Sequence, residues 1–269
     1  MSLPAVCCTV RGMDVTKEII MDFLELKNIS EHYMELVNPT TPEKVLTIGT
    51  VLGLHQGSRV IDFGCGYGEV LALWAQNFGI SGVGIDIRRY ACERAQQKMR
   101  SHGLANRINI VCANAAEYAF EPHTYDVAAC IGATFIWDSF QSAIRHMKEA
   151  LRPNGKVAVG EAHWRSTHIP PEYAQAQPIF HHEYELVQLA RAEGFNLQYV
   201  VRASHSDWDR YESDNWYGLV RWLEENPNHP ARAEVIEHLH SSQDEYLRYG
   251  REHLGWAIYV LSPVEERTP

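Results

Sequence analysis

Positively charged residues are scarce in this sequence relative to acidic ones. The 269 residues include 24 Lys and Arg against 34 Asp and Glu, which gives a formal net charge of -10. Binding to a nucleic-acid backbone needs clustered cations, so this composition argues against a nucleic-acid partner. The chain also lacks an apolar run long enough to span a bilayer, and no basic segment precedes the short apolar stretch at its amino end. We therefore expect a soluble, cytoplasmic protein with no membrane partner.

The sequence has no C-x-x-C pair. Its six cysteines stand at positions 7, 8, 65, 92, 112 and 130. That spacing indicates neither a zinc site nor a dithiol redox motif, and we expect reduced thiols. The adjacent Cys7 and Cys8 are interpreted as unremarkable thiols rather than as ligands of a soft metal. No metal centre is predicted.

Apolar, β-rich runs alternate with helical patterns through the middle of the chain. This alternation predicts an α/β fold with a mostly parallel, seven-stranded sheet and helices on both faces. The predicted strands begin near Ser58, Ser81, Arg107, Tyr125, Gly155, Asn196 and Trp256. Helices are predicted over residues 69–78, 89–103 and 139–151, the last of which ends at an R-P-N-G turn signal.

The regular alternation of predicted strands and helices ends after Glu161. Two long connections, about 166–192 and 204–253, separate the last three strands, and connections of that length are seldom plain linkers in a compact domain. We expect helices from both connections to form a substrate lid on a core of about residues 38–165. Because no repeat or interdomain linker is visible, residues 1–269 are predicted to form one domain.

A glycine-rich loop follows the first predicted strand, in V-I-D-F-G-C-G-Y-G at residues 60–68. Such a loop before a helix offers free backbone N–H groups to an anionic or polar ligand. A dinucleotide fingerprint would be G-x-G-x-x-G, but the glycines stand at 64, 66 and 68, and Glu69 takes the place of the third glycine. This spacing disfavours a nicotinamide cofactor, although an NAD(P) oxidoreductase stays open as an alternative.

An acid stands at the end of the next predicted strand, S-G-V-G-I-D-I. Asp86 is in the position from which a carboxylate accepts hydrogen bonds from both hydroxyls of a ribose. Asp62, just before the glycine loop, would face an ammonium group, directly or through water. Together these acids favour a nucleoside that carries an amino acid; the simpler interpretation of Asp62 is a capping carboxylate.

These motifs resemble the class I S-adenosylmethionine-dependent methyltransferases, whose fold is Rossmann-like. The likeness extends from about Pro39 to Glu161. V-I-D-F-G-C-G-Y-G looks like the first motif of that family, G-I-D-I its ribose-binding acid, and D-V-A-A-C-I-G-A-T its fourth motif. The segments N-P-T-T-P-E-K, G-E-A-H-W-R and E-H-L-G-W-A-I-Y-V-L are similar to a bacterial subgroup of small-molecule type without a known substrate.

The resemblance implies S-adenosyl-L-methionine as cofactor and a set of residues that bind it. Asn114 departs from the family, which usually has an acid there, but its amide oxygen can still accept a hydrogen bond from the adenine amino group. The implied residues are Asp62, Gly64, Cys65, Gly66 and Gly68 for the methionine part, Asp86 and Ile87 for ribose and adenine, Asn114 and Ala115 for the adenine edge, and Ile131 in the fourth motif.

Candidates for the acceptor site lie at the end of the fifth strand and in the second long connection. Glu161 and His163 are the predicted catalytic bases, with the alternatives that Glu161 holds a Lys or Arg and that His163 only caps the strand. His181, His182 and Glu183 are interpreted as a solvated helix start rather than as metal ligands. The predicted substrate contacts are Trp137, Trp164, Trp208 and Tyr211, although Trp208 and Tyr211 also fit a helix whose aromatic residues pack on the sheet.

The favoured function is methyl transfer to a small-molecule acceptor by in-line displacement. This reaction asks the protein mainly for proximity, alignment and, where needed, removal of a proton. A Rossmann-like NAD(P) oxidoreductase and a non-catalytic S-adenosylmethionine-binding protein are the alternatives.

Overall fold

The computed structural model describes residues 21–264, so Cys7 and Cys8 lie outside the described residues. The strands are β1 (Arg59–Phe63), β2 (Ser81–Asp86), β3 (Ile108–Cys112), β4 (Tyr125–Ile131), β5 (Leu151–Trp164), β6 (His181–His182), β7 (Phe195–Arg202) and β8 (Leu254–Pro263). The helices are α1 (Phe23–Ser30), α2 (Pro42–Leu52), α3 (Glu69–Phe78), α4 (Arg89–Ser101), α5 (Phe140–Ala150), α6 (Pro171–Ala176), α7 (Glu183–Ala192), α8 (His205–Glu225), α9 (Arg232–Glu245) and α10 (Arg251–His253).

The strands form one sheet in the order β3-β2-β1-β4-β5-β8-β7. Strand β8 runs antiparallel to both of its neighbours, and the pairs from β3 to β5 are parallel. The predicted α/β fold with a mostly parallel, seven-stranded sheet is confirmed. The two-residue strand β6 was not predicted; it pairs with the end of β5, beyond the last residue of β4.

Strand β5 begins earlier than its predicted start near Gly155. Leu151 already pairs with Tyr125, and the register then shifts before Val127 meets Lys156. The R-P-N-G turn signal therefore appears as an irregularity within the strand, where Asn154 adopts a φ of 65°.

Helices cover both faces of the sheet. Side chains alternate between the two faces along each strand, so neighbouring residues of one strand pack against different helices. Val60 of β1 packs in the same apolar cluster as Trp74 of α3, together with residues of α2 and α4. Ile61, the next residue of β1, packs in a second cluster with Ile144 of α5 and residues of α7. We call these the α3 face and the α5 face.

A helical layer, made of α1, α6, α8 and α9, joins the α3 face at the carboxyl end of the strands. Trp208 of α8 and Tyr173 of α6 are buried in the cluster of that face. Helix α8 crosses α1 so closely that a Cβ atom at Gly218 would overlap the carbonyl oxygen of Ser30. Within residues 21–264, the helices are too short or too polar to cross a membrane.

Helix α7 does not belong to this layer, although it lies within the connection predicted to form part of a lid. Leu186 and Ala190 of α7 are buried against the α5 face. The substrate lid over residues 166–192 and 204–253 stays a prediction, within which α7 covers the α5 face instead. Helix α1, which was not predicted, joins the helical layer.

Candidate functional site

The glycine loop connects β1 to α3 and adopts a conformation that only glycine accepts easily. Gly64, Gly66 and Gly68 have φ angles of 73°, 53° and 71°, a region that side chains with a Cβ atom rarely adopt. The amides of Gly64 and Cys65 both donate to the carbonyl of Ile85, at 2.8 and 3.0 Å. These bonds fix the loop to the end of β2.

Asp86 holds the same loop through its side chain. Its two carboxylate oxygens accept hydrogen bonds from the amides of Gly66, at 2.9 Å, and Arg88, at 2.8 Å. The Arg88 guanidinium in turn forms an ion pair with Glu31, at 2.6 Å. The acid predicted to bind a ribose is therefore also a buried structural residue, with one remaining lone pair on each oxygen for a ligand.

Asp62 lies on the α3 face of β1, and its carboxyl group is nearly fully buried, at 2% exposure. Its Oδ1 has no hydrogen-bond partner among the described residues. Burial and the negative charge of Asp86 raise the pKa of Asp62 to about 7. A buried carboxyl group without a partner is costly, and a cationic ligand group would compensate it.

A crevice opens beside Asp62, between the glycine loop and the segment of residues 35–38. Its lining includes Asp62, Tyr67 and Ile131. Tyr67 Oη, like Asp62 Oδ1, is buried without a hydrogen-bond partner among the described residues. These two polar atoms fit a ligand with an amino-acid part, as S-adenosylmethionine has.

The segment of residues 35–38 closes this crevice. Asn38 Nδ2 donates to the carbonyl of Ile131 at 2.9 Å, and Val37 Cγ2 lies 3.1 Å from the place where a Cβ atom at Gly66 would stand. The open volume that remains is about 20 Å³. That is about the space of one water molecule, so the crevice has to widen when the amino-acid part of a cofactor enters.

The residues predicted at the adenine end lie near the tips of β2 and β3. Ile87 is 57% exposed, which leaves its side chain free to pack on a ring. Asn114 uses its Oδ1 to accept from the amide of Ala116 at 3.1 Å, and Ala115 is buried. The adenine contact of Asn114 stays a prediction, because its oxygen already has one donor.

Glu161 lies at the carboxyl end of β5 and is paired with neither Lys nor Arg among the described residues. Its Oε2 accepts a hydrogen bond from the Thr134 hydroxyl, and its Oε1 accepts from the amide of Ala162 at 3.1 Å. Burial raises the pKa of Glu161 to about 7 in spite of these bonds. The alternative that Glu161 holds a Lys or Arg is therefore wrong.

His163 lies on the same face of the sheet as Glu161 but has different neighbours. It is buried, its Nδ1 lies 3.3 Å from Tyr259 Oη, and its ring lies against Gly255. Burial lowers the pKa of His163 to about 4, so the imidazole is neutral at physiological pH. It lines a cavity that shares no residue with the crevice beside Asp62.

The four predicted aromatic contacts form two groups. Trp164 follows His163 along the strand, so it faces the opposite side of the sheet, where it meets Tyr173 at a ring-centre distance of 5.4 Å. Trp208 is buried in the same cluster, with Tyr211 packed against it. Trp137 lies on the α5 face with its ring 5.2 Å from that of Phe63. The structure thus separates Trp137 from the other three, and Trp164 from Glu161.

Three residues near the site were not singled out from the sequence. Thr134 ends the fourth motif, D-V-A-A-C-I-G-A-T, and Asn38 begins N-P-T-T-P-E-K. Both segments carried the family resemblance, but neither residue was assigned a role. Glu212, one helical turn after Trp208, is only 4% exposed, and burial raises its pKa to about 7. Its surroundings in the sequence, S-D-W-D-R-Y-E, are rich in charged residues and give no signal of a buried position.

Among residues 21–264, no three His, Cys, Asp or Glu side chains are grouped as metal ligands. His181 lies 3.8 Å from Glu185. Cys65, Cys92, Cys112 and Cys130 are free thiols.

The chain is similar to known proteins over most of its length. A family model described as a methyltransferase domain matches residues 60–155. The uncharacterized protein YjhP of Escherichia coli is 35% identical over 246 residues, which cover 90% of this chain and 99% of that protein. A crystal structure of an S-adenosylmethionine-dependent methyltransferase from Geobacter sulfurreducens, in complex with S-adenosyl-L-homocysteine, has a TM-score of 0.84 and 34% identity over 88% of this chain and 97% of that one.

A more distant match is to the 24-methylenesterol C-methyltransferase 2 of rice, Oryza sativa subsp. japonica. It is 28% identical over 163 residues, which cover 56% of this chain and 44% of that protein. Fold, glycine loop and relatives agree: the chain belongs to the class I S-adenosylmethionine-dependent methyltransferases, and its cofactor is S-adenosyl-L-methionine.

Proposed function

We propose that this methyltransferase acts on a small-molecule acceptor and that Glu161 is the base that receives the acceptor's proton. The observation that carries this proposal is the state of the Glu161 carboxyl group. It lies at the carboxyl end of the sheet, it has no cationic partner in the part of the chain that the structure describes, and its pKa is raised to about 7. A base with a pKa near the working pH is the most effective in proton transfer.

The chain's residues perform positioning and proton transfer. S-adenosylmethionine, when bound, supplies an electrophilic methyl group. Asp62 binds the ammonium group in the crevice, and Asp86 holds the glycine loop and accepts from the ribose hydroxyls. Thr134 fixes the Glu161 carboxyl group by donating to Oε2, which leaves the other oxygen, Oε1, with only the Ala162 amide as donor. The acceptor's proton passes to that oxygen as the methyl group is transferred.

In this proposal the acceptor lies at the carboxyl edge of the sheet, with the helical layer on its α3 side and Glu161 on its α5 side. Trp208 and Trp216 of α8 each bury an indole N–H that has no hydrogen-bond partner within residues 21–264, and Glu212 lies buried between them along the helix. Unpartnered polar atoms in an otherwise aromatic wall suit a mostly apolar molecule with a few polar groups. The name of the rice relative gives a sterol as its acceptor, which supports a small molecule here as well.

The proposal is tested with S-adenosylmethionine that carries a deuterated methyl group. The protein is incubated with this cofactor and a bacterial metabolite extract, and deuterated products are identified by mass spectrometry. We expect Glu161→Gln to bind S-adenosylhomocysteine as the native protein does but to transfer the methyl group at least about 100-fold more slowly, the usual value of a general base. Glu149→Gln, an exposed glutamate of α5, is the matched control.

Two outcomes would count against parts of this account. Full activity of Glu161→Gln would show that Glu161 is not the catalytic base, although the protein would still transfer methyl groups. Absence of any deuterated small molecule, with label found on protein or nucleic acid instead, would contradict the small-molecule acceptor.

A further inference from the structure

A second cavity lies at the carboxyl edge of the sheet, away from the glycine loop. Its volume is about 440 Å³, which is within the range of about 300–1,000 Å³ that is usual for small-molecule sites. The ends of β5 and β7 and the starts of β8 and α7 surround it. Its lining residues are His163, Trp164, Arg165, His182, Glu183, Arg202, Ala203, Gly255 and Trp256. We call it the Arg202 cavity.

The Arg202 cavity depends on a glycine in β8. Gly255 pairs with His163 across the two strands, and a Cβ atom at position 255 would overlap Nε2 of the His163 ring. The absence of a side chain at this position therefore allows the imidazole to lie flat against the strand. His163 forms the buried part of the cavity wall.

The polar groups of the cavity are mainly donors. The phenol of Tyr259 has a pKa well above its ordinary value because it is buried, so it stays protonated, and its Oη lies 3.3 Å from Nδ1 of the neutral His163. Helix α7 begins at Glu183, at the wall of the cavity, and adds the positive end of its dipole.

The fixed charge of the cavity is positive, with two guanidinium groups against one carboxylate. Arg202 donates to Glu183, with Nη2 to Oε2 at 2.9 Å. Arg165 has no carboxylate partner in the part of the chain that the structure describes; its Nη1 contacts the imidazole of His205, at 2.6 Å to Nε2. A positive cavity is unexpected in a chain with a formal charge of -10. A bound anion would balance the excess positive charge of the cavity.

We propose that the Arg202 cavity binds a small anionic molecule through a carboxylate or phosphate group, at a site separate from the cofactor crevice. Arg165 supplies the guanidinium without a carboxylate partner among the described residues, and Arg202 supplies further donors. The Glu183 carboxylate orients Arg202.

The test measures the binding of inorganic phosphate and of succinate by titration calorimetry at low ionic strength, with S-adenosylhomocysteine bound throughout. We expect one of the two probes to bind with a dissociation constant below about 10 mM, and Arg165→Met to weaken it by about tenfold, the loss expected for one charge-assisted contact. Arg145→Met is the control for the loss of one arginine charge, because Arg145 does not line the cavity and pairs with Glu193 at the other end of α7. It should leave binding within about twofold.

Each outcome decides the proposal. Binding of phosphate alone or of succinate alone supports it and identifies the anionic group. Failure of both probes to bind the native protein overturns it, as does equal binding by Arg165→Met and the native protein. Equal losses of probe affinity in Arg165→Met and Arg145→Met would show that the probe responds to the overall charge of the protein surface. That result would also overturn the proposal. Retained binding of S-adenosylhomocysteine by every variant confirms that the fold is intact.

Discussion

Asp62 and Asp86 end adjacent parallel strands and face the same side of the sheet, and the charge of Asp86 contributes to raising the pKa of Asp62 to about 7. Asp86 has two backbone donors, whereas Oδ1 of Asp62 has none among the described residues. The two acids therefore play different parts. Asp86 is the fixed anion that shapes the glycine loop, and Asp62 is the group whose charge a ligand can change.

The first prediction concerns the pH dependence of cofactor binding. Asp62 must be ionised to pair with an ammonium group, and with a free-protein pKa of about 7 it is mostly protonated at pH 6. Affinity for S-adenosylhomocysteine should therefore rise between pH 6 and 8, by up to about tenfold per unit below pH 7, and binding should release a proton. Titration calorimetry in buffers of different ionisation enthalpy measures that proton. A flat affinity with no proton release would exclude the pairing.

The second prediction concerns the stability of the ligand-free protein. The pKa of Asp62 is raised from 3.8 to about 7 on folding, so the folded state binds more protons between these values and loses stability as pH rises through them. Asp62→Asn should then raise the free energy of unfolding at pH 8, by up to about 4 kcal/mol from a shift of about three units, and change it little near pH 4. Urea unfolding at both values checks this.

The control for this experiment is Asp244→Asn, which changes an exposed carboxylate paired with Arg248. It should leave the free energy of unfolding nearly unchanged at either pH. A loss of stability in Asp62→Asn at pH 8 would mean that Asp62 has a stabilising partner in the folded protein.

The third prediction concerns Asp86. Replacement by Ala leaves the amides of Gly66 and Arg88 without their acceptor, and an unsatisfied buried donor costs about 1–3 kcal/mol. Asp86→Ala should therefore lose about 2–4 kcal/mol of unfolding free energy in addition to cofactor affinity. Chemical denaturation measures the first and calorimetry the second. An unchanged stability would show that these two bonds contribute nothing to the fold.

The fourth prediction concerns the segment of residues 35–38, which leaves about 20 Å³ open in the crevice. Its amides should exchange hydrogen faster in Asn38→Ala, because the bond from Nδ2 to the carbonyl of Ile131 is lost. S-adenosylhomocysteine should slow the exchange in the native protein. Asn77→Ala removes a similar bond, to the carbonyl of Leu73, and should have no effect there. Equal exchange in the native protein and Asn38→Ala would show that Asn38 does not hold the segment.

The sequence predicted those parts of the site that lie close together along the chain or follow from strand order. The glycine loop follows β1 directly, and the end of β2 must lie beside it in a right-handed βαβ unit, so Asp62 and Asp86 were found together. Strand alternation also places Trp164 on the opposite face from His163, although the sequence interpretation grouped the two.

Other contacts could not be predicted because they join distant positions. Thr134 and Glu161 are separated by 27 residues, and Asn38 and Ile131 by 93. No local pattern specifies such pairs, since they arise only when the helices have packed. Glu212 is a related case: its burial depends on how α8 packs against α1 and α9, which the charge pattern of α8 alone does not reveal.

The most direct test of the account is a crystal structure of the protein with S-adenosylhomocysteine. We predict the ammonium group against Asp62, the ribose hydroxyls at Asp86, and the sulfur directed toward Thr134 and Glu161. A cofactor bound elsewhere, or bound in the crevice with its sulfur directed away from Glu161, would contradict the proposed catalytic site.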